Sequence, residues 1–197
     1  MGMDVSRREF FTRFGQSFAR SLSRRLLAVR DCASTETSTA AGRQRRWLRP
    51  PGAISESDFK DVCTRCTDCQ DACPFTAIRR LGPEFGEDAG TPAVIPHESP
   101  CYLCAEMPCI VACEPRALAP TAMDAVAMGI AVLDWSSCYL WQAQPCDYCV
   151  TRCPLPSKAI GWSADRRPEI DEEKCTGCGV CAYLCPRDAI AILPNIQ

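Results

Sequence analysis

The sequence predicts an α+β chain in which a small, irregular body of repeated cysteine-bearing units, with short strands and turns of helix, follows an N-terminal helical arm. Three observations carry this reading. Of 197 residues 17 are cysteine, far above ordinary usage. Sixteen of these form four quartets, each with a short apolar stretch nearby that can make a strand. Charge is also divided: residues 1–50 hold 11 arginines and 4 acids, net +7, whereas residues 51–197 hold 11 bases and 20 acids, net −9.

The same composition excludes several classes. A secreted disulfide scaffold does not suit an odd cysteine count at metal-ligand spacing, and no cleavable secretory segment is visible. The single histidine, His97, leaves no pair for a Rieske centre or a two-histidine zinc finger, and little acid-base chemistry. The longest apolar candidate, 117–133, is interrupted by Pro120 and Asp124, so no membrane-spanning helix is expected. An acidic body would repel phosphate, and the basic arm brings no recognition module, which argues against a nucleic-acid partner.

Residues 1–30 read as a basic amphipathic helix. Phe10, Phe14, Phe18, Leu22 and Leu26 recur every four residues among Arg7, Arg8, Arg13, Arg20, Arg24 and Arg25. Residues 31–48 read as a flexible linker, since 33–46 are mostly small or polar and aperiodic. The body, 49–197, opens on RPPGA and a short helix at 55–62 with Ser55 and Asp58 in capping-box spacing. Strands are predicted at 93–95, 130–135, 160–162 and 189–193. A helix is predicted at 120–129, with Thr121 and Asp124 at its start and Gly129 as its stop.

The quartets are Cys63, Cys66, Cys69, Cys73; Cys101, Cys104, Cys109, Cys113; Cys138, Cys146, Cys149, Cys153; and Cys175, Cys178, Cys181, Cys185. The first and fourth are full C-x2-C-x2-C-x3-C-P runs, the bacterial ferredoxin signature for [4Fe–4S] clusters. Three thiolates at this spacing wrap a tight loop around three corners of a cube, and the fourth cysteine faces away to ligate a neighbouring cube. The second run widens one interval to x4 and places Glu114 before Pro115, and the third opens with C-x7-C. Neither change removes a ligand, so sixteen cysteines supply four clusters and Cys32 is left over. Zinc ribbons use C-x2-C pairs and need neither the third cysteine nor the fourth before proline. The body is therefore a poly-ferredoxin built from paired, bacterial ferredoxin-like two-cluster units of βαβ type. One cluster would suffice for stability, and four in 123 residues read as a wire for electrons.

Other residues carry less. Trp135, Trp141 and Trp162 flank the third quartet and are expected to shield a cluster from water. His97 reads as a loop residue, Cys32 as a free thiol, and Gly177 and Gly179 as positions where the backbone nears a cluster. No glycine-rich dinucleotide loop, P-loop or nucleophile elbow is present, so no flavin, nicotinamide or nucleotide site is expected.

At RPPGA, CTRCTDCQDACP, PCYLCAEMPCIVAC, GIAVLDWSSCYLWQAQPCDYCVTRCPL and CTGCGVCAYLCP the sequence resembles the MauM/NapG family of ferredoxin-type proteins, from Arg49 to the C-terminus. That resemblance implies a four-cluster electron-transfer protein, not an enzyme, serving a membrane quinol-oxidising partner or other donor and a redox enzyme. The rival reading is an accessory, maturation or structural iron–sulfur subunit of a molybdenum or quinoprotein oxidoreductase. The x4 interval further resembles the second motif of four-cluster molybdoenzyme subunits. It implies that outer quartets pair and inner quartets pair, with sequential pairing as the alternative. SRREFF at 6–11 matches the twin-arginine export signal, but Arg20, Arg24 and Arg25 break the apolar segment such a signal needs. A cytoplasmic protein at the inner face of the membrane is expected, with periplasmic export as the alternative.

Overall fold

The computed structural model describes residues 46–155 and 159–195. The expected arm, Cys32 and the linker up to residue 45 lie outside them.

Trp47 and Leu48 are buried, and Leu48 exchanges two 2.8 Å backbone hydrogen bonds with Val94. The packed body thus begins at Trp47. Arg49 follows, also buried, with its fork fully used. Nε and Nη2 donate to the two carboxylate oxygens of Glu56 at 3.0 and 2.6 Å, Nη2 also to Asp88 at 2.9 Å, and Nη1 to the Thr91 hydroxyl at 2.7 Å. The guanidinium lies 4.4 Å from the Trp47 ring centroid and 4.5 Å from that of Phe59. This one side chain ties the entering strand to helix α1 (Glu56–Val62), whose amide at Asp58 donates to the Ser55 cap at 3.3 Å and whose buried face is Phe59.

Two topological repeats follow. In the first, Ala53 leads to α2 (Asp68–Asp71) and β1 (Ile78–Arg80), a turn containing a 3₁₀ segment returns as β2 (Pro92–Val94), and α3 (Pro108–Val111) leads to Leu118. β1 pairs antiparallel with β2, Ile78 opposite Val94, while Ala53 and Leu118 form a single bridge outside them. The second repeat runs β3 (Gly129–Leu133), α4 (Tyr148–Thr151), β4 (Ile160–Trp162), then β5 (Pro168–Ile170), α5 (Val180–Leu184), β6 (Ile190–Pro194). Here β4 pairs with β5, and β3 with β6, both antiparallel. The inner hairpin and outer pair therefore recur, with the outer pair of the first repeat reduced to one bridge. Within each repeat the two short helices pack on each other, α2 against α3 and α4 against α5.

The cores of these repeats contain sulfur. Cys69, Cys101, Cys109 and Cys178 are buried with Leu48, Phe59, Ile78, Val94, Leu103 and Leu118, and Cys181 is buried with Ala131, Val150, Ile160 and Ile190. So little chain can bury few large side chains, and the cysteines occupy the space between its helices.

Some expectations give way here. The helix predicted at 120–129 is only a 3₁₀ turn, Met123–Ala125. The Thr121 hydroxyl donates to Ala119 O instead of capping, and the end of the segment is drawn into strand contacts, Met128 N–H to Thr176 O at 2.9 Å and Asn195 N–H to Met128 O at 3.1 Å. Gly129 is not a helix stop: it sits in β3, where a Cβ would come 2.4 Å from Leu193 O. Gly177 and Gly179, with φ of 70° and 88°, serve close chain-to-chain approach, since their Cβ atoms would meet Gly129 N at 2.4 Å and Pro96 Cβ at 2.6 Å. Strands β1 and β5 were not predicted, because IRR and PEI are three residues long and carry no alternation that marks a strand.

Candidate iron–sulfur sites

In three of the four runs the first C-x2-C loop turns through a left-handed residue one place before its second cysteine. These residues are Arg65 (φ 58°), Leu103 (φ 50°) and Gly177 (φ 70°) in the first, second and fourth runs. Such a conformation disfavours a side chain, and its recurrence at one position marks a loop shape common to these three runs. The third run has no such residue at that place. Its x7 interval holds a 3₁₀ turn, Tyr139–Gln142, closed by Ala143 at φ 55°. A wider interval therefore folds as a local excursion, and Cys146 and Cys149 keep their x2 spacing.

A second signature lies after the fourth cysteine. Thr76, Arg116 and Asp188, each three residues on, are again left-handed, and their amides donate to the carbonyls of Cys73, Cys113 and Cys185 at 3.1, 3.1 and 3.2 Å. The turn then aims an N–H at the sulfur: Ala77 to Cys73 Sγ at 3.3 Å, Leu118 to Cys113 Sγ at 3.4 Å, Ala189 to Cys185 Sγ at 3.3 Å. In the second run the donor is five residues on instead of four, which accommodates Glu114 without losing the bond. A fourth amide, Ala131 on β3, donates to Cys175 Sγ at 3.4 Å. Sequence reading missed these donors, although the offset of four or five residues from the fourth cysteine was a signal that could have found three of them. Amide donors to sulfur stabilise its negative charge and tune the potential of any cluster it holds.

The thiols sort into sets by whom they repel. Burial pushes Cys69 up to about 12, and it is raised further by Cys66, Cys113, Cys63 and Cys109. Burial raises Cys104, with Cys73 next. Cys109, pushed up to about 11, likewise has Cys73 as its main thiol neighbour after burial. Cys73, Cys101, Cys104 and Cys109 line a single apolar cavity together with Pro74, Phe75 and Met107. In the second repeat burial pushes Cys178 up to about 11, with Cys153 and Cys175 adding to it, and the otherwise unpartnered Thr176 hydroxyl opposing. Burial pushes Cys149 up to about 11, with Cys146 and Cys138 its nearest thiol neighbours.

These neighbourhoods correct the outer-and-inner pairing that the x4 interval implied. Cys73 lines one cavity with Cys101, Cys104 and Cys109 of the second run, and Cys153 is the foremost thiol neighbour of Cys178 of the fourth. The reason is mechanical. The segments between runs one and two and between runs three and four close as hairpins, which lays consecutive short helices side by side. A widened loop interval changes the shape of one loop, not the helix it packs against.

The donor set suits a polynuclear centre. Four thiols surround one cavity, yet among the described residues no group of three or more Cys, His, Asp or Glu side chains could hold a single metal ion. Mononuclear zinc requires that convergence at bond lengths of about 2.0–2.3 Å. A cube, with an iron at each of four corners, requires the thiols to stand apart around a shared space.

Comparison with known proteins agrees. Residues 168–191, which contain the whole fourth run, match the 4Fe-4S binding domain family. The chain is 35% identical over 174 residues to the ferredoxin-type protein NapG of Escherichia coli (strain K12), covering 81% of this chain and 74% of that protein. It is 38% identical over 172 residues to the methylamine utilization ferredoxin-type protein MauM of Methylorubrum extorquens, covering 80% and 77%. The MauM of Methylobacillus flagellatus is 36% identical over 160 residues, covering 75% and 68%. The chain belongs to the NapG/MauM family of ferredoxin-type proteins. As a member it is a [4Fe–4S]-binding protein of electron transport.

Around these sites the remaining expected residues take lesser places. His97 is exposed in a turn. Trp141 and Trp162 expose 59% and 46% of their surface. Trp162 ends β4, on the face that the buried Ile160 shares. Trp135 is half-buried, its indole N–H is enclosed and Arg167 lies 5.0 Å from its ring.

Proposed function

We propose that the sixteen cysteines hold four [4Fe–4S] clusters in two sequentially paired two-cluster units, and that the protein relays electrons without a substrate site of its own. Cys63, Cys66 and Cys69 are completed by Cys113, and Cys101, Cys104 and Cys109 by Cys73. Cys138, Cys146 and Cys149 are completed by Cys185, and Cys175, Cys178 and Cys181 by Cys153. The observation that carries this reading is the cavity that Cys73 shares with Cys101, Cys104 and Cys109, the triplet of the next run. The third site follows from the same exchange, because α5, which precedes Cys185, packs on α4.

Each cluster, when bound, exchanges one electron at a time. The chain's own residues do the rest. Thiolates hold the iron, amides of Ala77, Leu118, Ala131 and Ala189 steady charge on sulfur, and apolar side chains limit water. The donor in this reading is a membrane quinol-oxidising protein or another reductant, and the acceptor a redox enzyme. Residues 1–30 act as a basic arm that holds the protein at the cytoplasmic face of the membrane.

Anaerobically purified protein is expected to contain about 16 iron and 16 acid-labile sulfide per chain, at the four-cysteine stoichiometry of each cube. Eight iron, or stoichiometric zinc, sinks the four-cluster reading. Relay is separated from an accessory role by partner turnover, which must fall when the cubes are rendered redox-inert while partner binding persists.

A further inference from the structure

We infer that the four cysteine sets stand in a row in the order first, second, fourth, third, joined in the middle by contact between Cys101 and Cys178. This rests on the four-cluster reading above.

Three contacts between sets define the row. The first set meets the second, and the third meets the fourth, where α2 packs on α3 and α4 on α5. These helices carry the third cysteines of the runs, Cys69 and Cys109 standing on α2 and α3, Cys149 and Cys181 on α4 and α5. The contact between repeats is different in kind. The Cys101 amide donates to the Cys178 carbonyl at 2.9 Å, and Cys178 is the foremost thiol neighbour of Cys101. Both residues are buried, 9% and 8% exposed. Pro100, wholly buried, and Pro96, packed against Gly179, hold the two loops together. Exposure follows the same order. The two middle sets meet through buried cysteines, whereas the first set contains Cys66, the exposed cysteine among the described sixteen.

Sequence order would place the third set beside the second. The hydrogen bond at Cys101 places the fourth there, because the loop of the fourth run folds back across β3 through Gly177 and Gly129. The first and third sets are thereby the ends of the row, where exchange with partners falls.

The test uses magnetic coupling between reduced cubes, which broadens and splits the EPR spectrum of neighbours, together with iron analysis of each sample. Removing an internal set leaves one cube without a neighbour, and removing an end set leaves none. The full-length holoprotein with Cys175→Ser and Cys178→Ser is expected to show one uncoupled signal beside a coupled pair. The protein with Cys138→Ser and Cys146→Ser is expected to show three coupled cubes. The reverse pattern, an isolated signal only when the third set is removed, overturns the order. If a double variant does not fold, single Cys178→Ser and Cys146→Ser replacements, which leave an oxygen ligand, mark the same cubes by shifted g values. The mark on the fourth must then disturb two neighbouring signals and that on the third only one, and equal disturbance overturns the row. Fewer than four cubes in the unsubstituted protein overturns the four-cluster reading and the row with it.

Discussion

Arg49 shows how one side chain can fasten a body with little apolar core. Its guanidinium is bonded to Glu56, Asp88 and Thr91 while sandwiched against Trp47 and Phe59. Lysine has no planar fork and cannot reproduce this. Arg49→Ala leaves two partly buried carboxylates facing each other, with Lys60 at 3.1 Å from Asp88 as partial compensation. Breaking such a network by removing one partner costs about 3–5 kcal/mol. A loss of that order in unfolding free energy, read as a lowered denaturant midpoint of the holoprotein, is expected, and Arg49→Lys should recover only a minor part. The thiols carry a pH consequence at the same scale. Burial first, then neighbouring thiolates, holds Cys69 and Cys101 near 12 and Cys109 near 11, so the metal-free fold favours neutral thiols. With folded pKa values above the unfolded ones, the stability these thiols give the metal-free fold is complete below about pH 8.5 and lost as pH rises through 11–12. Iron binding has the opposite sign, because it needs the thiolates and so competes with protons that these sites bind tightly. Visible absorbance of the holoprotein should therefore bleach faster as pH falls, and a rate independent of pH would show that protons do not compete for the sulfurs.

At the scale of elements, the repeated unit is a loop, a helix of four or five residues and a strand, too short to be stable alone. What holds these pieces is pairing with their counterparts and, at one place, two glycines in contact. Gly177 adopts φ 70° and its missing Cβ is filled by Gly129 of β3. Gly177→Ala would set a methyl 2.4 Å from the Gly129 amide nitrogen and strain the backbone as well. It should separate the fourth run from β3 and break the Ala131 amide bond to Cys175 Sγ. The expected outcome is loss of about one cube's iron, roughly four per chain by the stoichiometry of a cubane, with the first repeat still loaded. Gly161→Ala, with open space at its Cβ, is the control and should retain full iron. The Glu114 insertion shows the opposite tolerance: a one-residue change in a turn is absorbed because the sulfur can take its hydrogen bond from the next amide.

The whole molecule joins segments of opposite charge, +7 in residues 1–50 and −9 in the rest. Each oxidised cube with four thiolates adds about −2, so the four proposed clusters would bring the loaded body to about −17. Such a body is repelled by anionic lipid, whereas each arginine near an anionic surface contributes roughly 1 kcal/mol, fading within a Debye length. The intact protein should co-sediment with anionic vesicles at low salt and be released as salt rises, and a chain starting at Trp47 should stay in solution. Identical behaviour of the two would remove the arm as an anchor. Recovery of the native protein from the periplasm with a shortened N-terminus would establish export.

The sequence by itself determined the inventory: four runs, sixteen thiols and an iron–sulfur chemistry, since the spacing of three cysteines around one loop is a local property of the backbone. The short helix after Ser55 was legible for the same reason, its cap and first turn lying within four residues. Where neighbours in space were needed, local signals failed. The stretch at 120–129 has a helix's punctuation, yet its backbone groups are claimed by Thr176 and Asn195, far along the chain. The partner of each fourth cysteine is likewise invisible in any one run, because it depends on which helix packs beside it. Only the tertiary structure decided that consecutive runs pair and that Cys101 meets Cys178, through hairpins and a glycine contact whose energies are long-range sums that no single motif encodes.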